Sequence, residues 1–185
     1  MAGHSKWSTI KRKKGVNDDK RAKIFTKISR EIIVCIKETG NADPANNGRL
    51  RDLITKAKTN NIPGDNIERL LKKAAGGTEK SDYENCIYEG YGPGGVAVMV
   101  ECLTDNRNRT AGEVRCYFDK YGGNMGTAGC AAFMFNQGEA ISYVTLTDEE
   151  QIKKMILLLD MLEDNDDVQN VLHNWEEPDT ADDDT

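Results

Sequence analysis

The residues Val96–Gly123, VAVMVECLTDNRNRTAGEVRCYFDKYGG, pass from a strand pattern to a helix pattern. Val96–Leu103 is almost continuously apolar and rich in valine, which predicts a buried strand. The next segment predicts a helix from about Arg109 to Tyr121, because it lacks proline and ends at Gly122-Gly123. A strand followed at once by a helix of this length is typical of a mixed α+β domain.

The chain after this stretch supplies four more elements, and together they indicate a known domain order. They are predicted as the strands Ala131–Phe135 and Ala140–Val144, a helix from Asp148 through Leu162, and the strand Val168–Trp175. The order from Val96 onward is therefore β-α-β-β-α-β, which is the ferredoxin-like order of an antiparallel sheet with helices on one face. A strand at Cys86–Tyr91 is expected as an extra edge strand, joined through Gly92-Pro93-Gly94-Gly95 by a hairpin turn.

The chain before this domain predicts three helices with short connections. The first runs from Asp18 to about Thr39 and stops at Gly40, with Phe25, Ile28, Ile32, Cys35 and Ile36 on one face. The second runs from about residue 44 to 60, with Asp43-Pro44 as cap and first position, and the third from about 65 to 75. We therefore expect a basic arm over 1–17, a helical domain over 18–77, a ferredoxin-like domain over 83–175 and an acidic, disordered tail over 176–185.

The net charge of −6 conceals an uneven distribution of basic and acidic residues along the chain. Residues 1–80 hold 19 Lys and Arg against 9 Asp and Glu, whereas residues 81–185 hold 6 against 22. Binding of a polyanion responds to nearby charge, because salt screens charges beyond about 8 Å. The basic half therefore predicts a nucleic-acid partner, although a solvated cationic face is the alternative for the first helix.

Several basic side chains are candidates for contact with phosphate. Trp7 offers an indole that stacks on a base, with docking against the helical domain as the alternative. The two arginines of Asp105–Thr110 match phosphate oxygens, with helix capping and surface arginines as the alternative. The full set of candidates is Lys6, Trp7, Lys11, Arg12, Lys13, Lys14, Lys20, Arg21, Lys23, Lys27, Arg30, Arg107 and Arg109.

The sequence offers little for catalysis or for a cofactor. Its two histidines, His4 and His173, belong to no ligand pattern, and the five cysteines have no metal-binding spacing. No phosphate-binding loop or nucleophile motif occurs. We expect no enzyme activity, no cofactor, no metal and no membrane segment, and a cytoplasmic location.

Five stretches resemble the YebC/PmpR family in the correct order along residues 1–144. They are MAGHSKW at Met1–Trp7, KIFTKISR at Lys23–Arg30, YEGYGPGG at Tyr88–Gly95, DNRNRT at Asp105–Thr110 and GGNMG at Gly122–Gly126. The segment Leu159–Asn174 is also similar to the end of that family's chains. The resemblance implies a helical N-terminal domain followed by two ferredoxin-like domains, one of them inserted in the other.

The same resemblance implies a role in gene expression. Members are named probable DNA-binding transcriptional regulators, while mitochondrial relatives activate translation of cytochrome oxidase and bacterial relatives are linked to translation of proline-rich stretches. The chain departs from the family near residue 145, where the inserted domain is expected to be missing. The first hypothesis is a DNA-binding transcriptional regulator. The alternatives are a ribosome-associated translation factor that binds ribosomal RNA or tRNA, and a protein-interaction module without nucleic acid. The oligomeric state, monomer included, stays open.

Overall fold

The computed structural model describes residues 18–77 and 82–177, and they form two compact units of an α+β protein. One unit contains the helices of residues 17–85 together with Leu103–Asn106. The other contains Cys86–Cys102 and the residues from Arg107 onward. The predicted α+β class, with three N-terminal helices before an antiparallel sheet, is confirmed. The basic arm 1–17 and positions 178–185 of the acidic tail lie outside the described residues.

The helical unit is built from α1 (Asp18–Thr39), α2 (Gly48–Thr59) and α3 (Gly64–Ala75). α1 ends where predicted, since Gly40 adopts a φ of 63°, which glycine reaches without steric cost. The apolar face predicted for α1 is confirmed: Ile28, Ile32, Cys35 and Ile36 are buried. They pack with Leu50, Leu53, Ala57, Ile62 and Ile67 of the following segments.

The start of α2 differs from the prediction, which placed it at Asp43-Pro44. The Asp43 carboxylate instead accepts a hydrogen bond from the Ala45 amide at 2.9 Å and closes a turn. The side chain of Asn47 caps the helix, because its Oδ1 accepts from the Leu50 amide at 3.1 Å. Asn47 is buried, and its Nδ2 donates to the carbonyl of Asn41 at 2.9 Å, so the cap also fastens the loop before it.

The sheet unit is organised around a four-stranded sheet of order β3-β1-β2-β7. Its strands are β1 (Glu84–Tyr91), β2 (Ala97–Thr104), β3 (Asn124–Met125) and β7 (Val168–His173). β3 and β7 pair antiparallel with β1 and β2, and the short turn at Pro93–Gly95 can join β1 to β2 only as an antiparallel hairpin. β3 covers only Gly90 and Tyr91, so most of β1 has the edge position that the sequence predicted.

Two predicted strands are wrong. Ala131–Phe135 contains a 3-10 turn at Ala132–Met134, and only β4 (Phe135–Asn136) is extended. Ala140–Val144 is likewise reduced to β5 (Glu139–Ala140), which pairs with β4, and β6 (Val144–Thr145). The middle pair of the predicted β-α-β-β-α-β order therefore lies outside the main sheet, and β1 and β3 complete the sheet in its place.

Two helices cover one face of the sheet, α4 (Arg107–Lys120) and α5 (Glu149–Asp164). Their buried side chains form one core with those of β2: Val98, Val100, Cys102, Val114, Phe118, Met155, Leu158, Leu159 and Leu162. The Asp148 carboxylate caps α5 as predicted, accepting from the Glu150 amide at 2.8 Å. None of the helices in the described ranges combines the length and apolar character needed to cross a bilayer.

The predicted last strand, Val168–Trp175, is divided at Asn174. This side chain is fully buried, and its Oδ1 accepts from the Ala97 amide at 2.7 Å. Its carbonyl accepts from the Val144 amide at 2.7 Å, which brings β8 (Trp175–Glu176) beside β6 as a parallel pair. Asn174 therefore marks the point where the chain leaves the main sheet and enters the β6–β8 pair.

A buried carboxylate fastens the loop before β4 to the sheet. Glu89 of β1 accepts hydrogen bonds from the backbone amides of Gly129, Ala131 and Ala132 at 2.8, 2.9 and 2.7 Å. The Tyr91 hydroxyl donates to the carbonyl of Cys130 at 2.6 Å. Burial acts to raise the pKa of Glu89, but the three amide donors outweigh it and hold that pKa below its ordinary value. We call this set of contacts the Glu89 clamp.

Candidate nucleic-acid interface

The helices keep a positive charge after the undescribed arm is set aside. Residues 18–77 hold 13 Lys and Arg against 8 Asp and Glu, whereas residues 82–177 hold 6 against 18. Because residues 18–77 carry a net positive charge and residues 82–177 a net negative one, a polyanion is attracted to the helices among the described residues.

The basic stripe predicted along α1 is engaged by protein contacts at one end. Lys20, Lys23 and Lys27 are half-buried and share one face of the helix. Arg30 continues that face, but its Nη1 donates to the carbonyl of Leu103 at 3.0 Å and its guanidinium lies 5.1 Å from the ring centre of Tyr83, all within the helical unit. The next residue of the face, Val34, is buried. Arg30 is therefore held by protein contacts at this end of the stripe, and its contact with nucleic acid stays a prediction.

Other cations of the helices are engaged by acids. Arg49 pairs with Glu38 at 2.7 Å, and Lys56 pairs with Glu31 at 2.9 Å. Exposed pairs of this kind contribute about 0–1 kcal/mol and weaken as salt rises. They reduce the positive charge that the helices present.

The side chains of three cations in the helices make no hydrogen bond or ion pair with any described residue: Lys20, Lys58 and Lys72. Lys58 and Lys72 are exposed and lie in the last turns of α2 and α3. A lysine there also stabilises the negative end of the helix dipole. Lys58 and Lys72 were not among the predicted site residues, although their charge is visible in the sequence.

The segment Asp105–Thr110 has a structural partner that the sequence did not reveal. Arg109 Nη2 and Thr110 Oγ1 both donate to Oδ2 of Asp167, at 2.8 and 2.7 Å. The Asp167 side chain is almost completely buried, so Arg109 neutralises a charge inside the protein. Arg107 is exposed at the start of α4, and its carbonyl accepts from the Tyr88 hydroxyl at 3.0 Å. Contact of either arginine with nucleic acid stays a prediction.

The remaining candidates divide by position. Arg21 is exposed near the start of α1. The arm candidates lie outside the described residues: Lys6, Trp7, Lys11, Arg12, Lys13 and Lys14. In residues 18–77 and 82–177 no group of three His, Cys, Asp or Glu is arranged to hold a metal ion.

Comparison with known proteins assigns both units to one family. The model of the TACO1/YebC protein N-terminal domain matches residues 5–77. The model of the TACO1/YebC second and third domain matches residues 83–143 and 138–175. The chain belongs to the TACO1/YebC family.

Individual members of the TACO1/YebC family support the assignment. A probable transcriptional regulatory protein of Ruminiclostridium cellulolyticum is 52% identical over 163 residues, covering 88% of this chain and 64% of that protein. One of Finegoldia magna is 42% identical over 240 residues, covering 95% of this chain and 99% of that protein. The crystal structure of a conserved hypothetical protein of Aquifex aeolicus matches with a TM-score of 0.75 at 36% identity, covering 85% of this chain and 91% of that one.

The relatives contain internal residues that this chain lacks. At most 185 of the 240 positions matched to the F. magna protein can hold a residue of this chain, so at least 55 hold residues of the relative alone. The two matches to the second and third domain meet at residues 138–143. That the absent residues form an inserted domain stays a prediction, as does its position near residue 145.

Two of the stretches that carry the family resemblance have a packing role. A Cβ on Gly123 would lie 2.5 Å from the carbonyl oxygen of Tyr91, and a Cβ on Gly90 would lie 2.5 Å from that of Asn124. Real Cβ atoms do not approach backbone that closely, so both positions require glycine. The glycines allow β1 and β3 to meet above Phe118 and indicate no ligand.

Proposed function

We propose that this chain is a non-enzymatic regulator of gene expression that binds nucleic acid through its helical unit. The observation that carries the proposal is the charge of residues 18–77, where the side chains of Lys20, Lys58 and Lys72 make no ion pair with a described residue. The relatives of R. cellulolyticum and F. magna, named probable transcriptional regulatory proteins, support a role in regulation. In the first form of this proposal, the nucleic acid is DNA and the regulated process is transcription.

The binding mechanism rests on counterion release. Each lysine that neutralises a phosphate releases condensed cations from the nucleic acid, and the affinity then falls as salt rises. The sheet unit opposes this attraction, because residues 86–102 and 107–177 hold 15 acidic side chains against 6 basic ones. The helices therefore supply affinity, and the sheet unit is free for another task.

The test compares two charge-matched double variants. Lys58→Ala with Lys72→Ala removes two free cations of the helices, and Arg115→Ala with Lys153→Ala removes two exposed cations of the sheet unit. We expect the first pair to reduce the slope of log affinity against log salt by about 2 and the second pair to leave it unchanged. The measurement is fluorescence anisotropy of a mixed-sequence DNA duplex, with circular dichroism to show that each variant is folded.

The same titration is made with purified ribosomes to separate the two forms of the proposal. Tighter binding to ribosomes than to the duplex, lost in the first pair only, would replace transcription by translation as the process regulated. An equal loss in both pairs would show that the helices do not supply the affinity. Absence of binding to either probe at low salt would overturn the proposal and favour a protein-interaction module.

A further inference from the structure

The segment after the Glu89 clamp presents an apolar patch to solvent. Phe133, Ile141 and Tyr143 are 65%, 65% and 62% exposed. Five large apolar side chains are exposed in the described residues, and these three fall within eleven consecutive positions. Such clustering marks interaction surfaces more often than scattered exposure does. We call these three side chains the hairpin patch.

The patch is presented by an ordered segment. The Glu89 clamp holds the backbone of residues 129–132, directly before Phe133. The Ile141 amide donates to the carbonyl of Met134 at 2.9 Å, which extends the β4–β5 pairing toward the patch. Ordering this backbone in advance lowers the entropic cost of binding a partner.

The charged residues near the hairpin patch in the chain indicate which kind of partner it binds. Between Lys120 and Lys153 the charged residues are Glu139, Asp148, Glu149 and Glu150, of which Glu150 pairs with Lys154 at 2.6 Å. Glu176 adds a further acid beside this segment, where its carboxylate accepts a hydrogen bond from the Thr145 hydroxyl. Nucleic acid is repelled by such a surface, and a cationic protein is attracted. A symmetric contact with a second copy would place the same acids opposite one another, which like-charge repulsion disfavours.

The position of the patch in the family gives an independent argument. The two matches to the second and third domain meet at residues 138–143, inside the patch, and the F. magna relative has at least 55 residues that are absent here. In this chain the described residues leave the three side chains uncovered. The exposed side chains thus lie at the junction of the two matched segments, where they are available to another molecule.

We propose that the hairpin patch binds a separate protein whose surface is basic and carries apolar side chains. Phe133, Ile141 and Tyr143 supply the apolar anchors, and the surrounding carboxylates supply orientation and attraction. Aromatic and aliphatic anchors of this kind carry most of the energy of an interface. This assigns the acidic sheet unit a partner of a different class from that of the helices.

The first part of the test identifies the partner. A benzophenone-bearing amino acid replaces the exposed Ser142 in cells, and a matched control carries it in place of Leu157, which is 46% exposed on α5. Mass spectrometry then identifies the adducts. A basic protein recovered from position 142 and not from position 157 is expected. Adducts that are the same at both positions, or an acidic protein or nucleic acid, would overturn the proposal.

The second part measures binding of the purified partner. Phe133→Ser and Ile141→Ser should each weaken binding at least tenfold, as truncation of an anchor does, while Leu157→Ser leaves it unchanged. Binding of the mixed-sequence duplex should be the same in all three variants, which separates this proposal from the function of the helices. Equal affinity of the patch variants and wild type would refute it. Recovery of this same chain from position 142 would identify a contact between copies instead.

Discussion

Replacing Glu89 by glutamine tests the Glu89 clamp with almost no change of shape. The carboxylate accepts three hydrogen bonds from backbone amides. Its Oε1 accepts from Gly129, and its Oε2 accepts from Ala131 and Ala132. A glutamine side chain keeps one acceptor oxygen and places an NH₂ group where the second one was, so at least one of the three amides loses its partner. A hydrogen bond to a charged group contributes about 1.5–3 kcal/mol, and the retained bonds weaken when the charge is removed. We expect Glu89→Gln to lower the free energy of unfolding by about 3 kcal/mol.

The assay is urea unfolding of the full chain, with Glu139→Gln as the matched control. Glu139 is an exposed acid of the same segment, and its replacement should change stability by less than about 0.5 kcal/mol. Equal stability of the Glu89 variant and the control at neutral pH would refute the clamp.

The pH dependence of the Glu89 variant supplies a second check. The folded-state pKa of Glu89 is below the ordinary value, so the stabilisation is complete above about pH 4.3 and is lost as pH falls through the folded value. The difference between wild type and Glu89→Gln should therefore shrink in acid. A difference that grows as pH falls would contradict the assigned sign.

Three further changes probe other buried features. Asn47→Ala removes the side-chain cap of α2, which accepts a hydrogen bond from the Leu50 amide. Urea unfolding should show that the free energy of unfolding falls by about 1–3 kcal/mol. Gly123→Ala places a Cβ against the Tyr91 carbonyl oxygen. Thermal unfolding should show that the free energy of unfolding falls by at least about 2 kcal/mol. Burial lowers the pKa of His173, so wild type should lose stability as pH falls below about 6.5, and a His173→Gln variant should lose less over the same pH range.

Helices were predicted well because their signals are local. α1 and α3 combine an apolar stripe with a glycine at or just after the end, and both follow the predicted bounds to within one residue. α2 was misplaced because two capping residues, Asp43 and Asn47, compete four positions apart. The sequence shows that both can cap. The buried surroundings of Asn47 decide between them, and those depend on tertiary contacts.

The middle strands were mispredicted for a different physical reason. Ala131–Phe135 and Ala140–Val144 are apolar enough for strands, but the backbone of residues 129–132 turns its amides toward Glu89. A carboxylate that binds backbone leaves no periodic signal, since its partners are amides that every residue has. The same limit affects the site: sequence locates the positive charge, but only packing shows that Arg30 and Arg109 are held by protein.

The opposite charges of the two units predict a different response to salt for each unit and, under the two proposals, a different class of partner. A phosphate backbone attracts residues 18–77 and repels residues 82–177, and screening limits each effect to charges within about 8 Å. Under both proposals, nucleic acid at the helices would not compete for the hairpin patch, because Glu139, Asp148 and Glu149 near it in the chain are acidic. Salt should weaken nucleic-acid binding steeply, since that binding is ionic throughout. It should weaken docking at the patch less, since apolar contacts at Phe133, Ile141 and Tyr143 do not depend on charge. Together the two proposals predict that a single chain joins a nucleic acid to a basic protein.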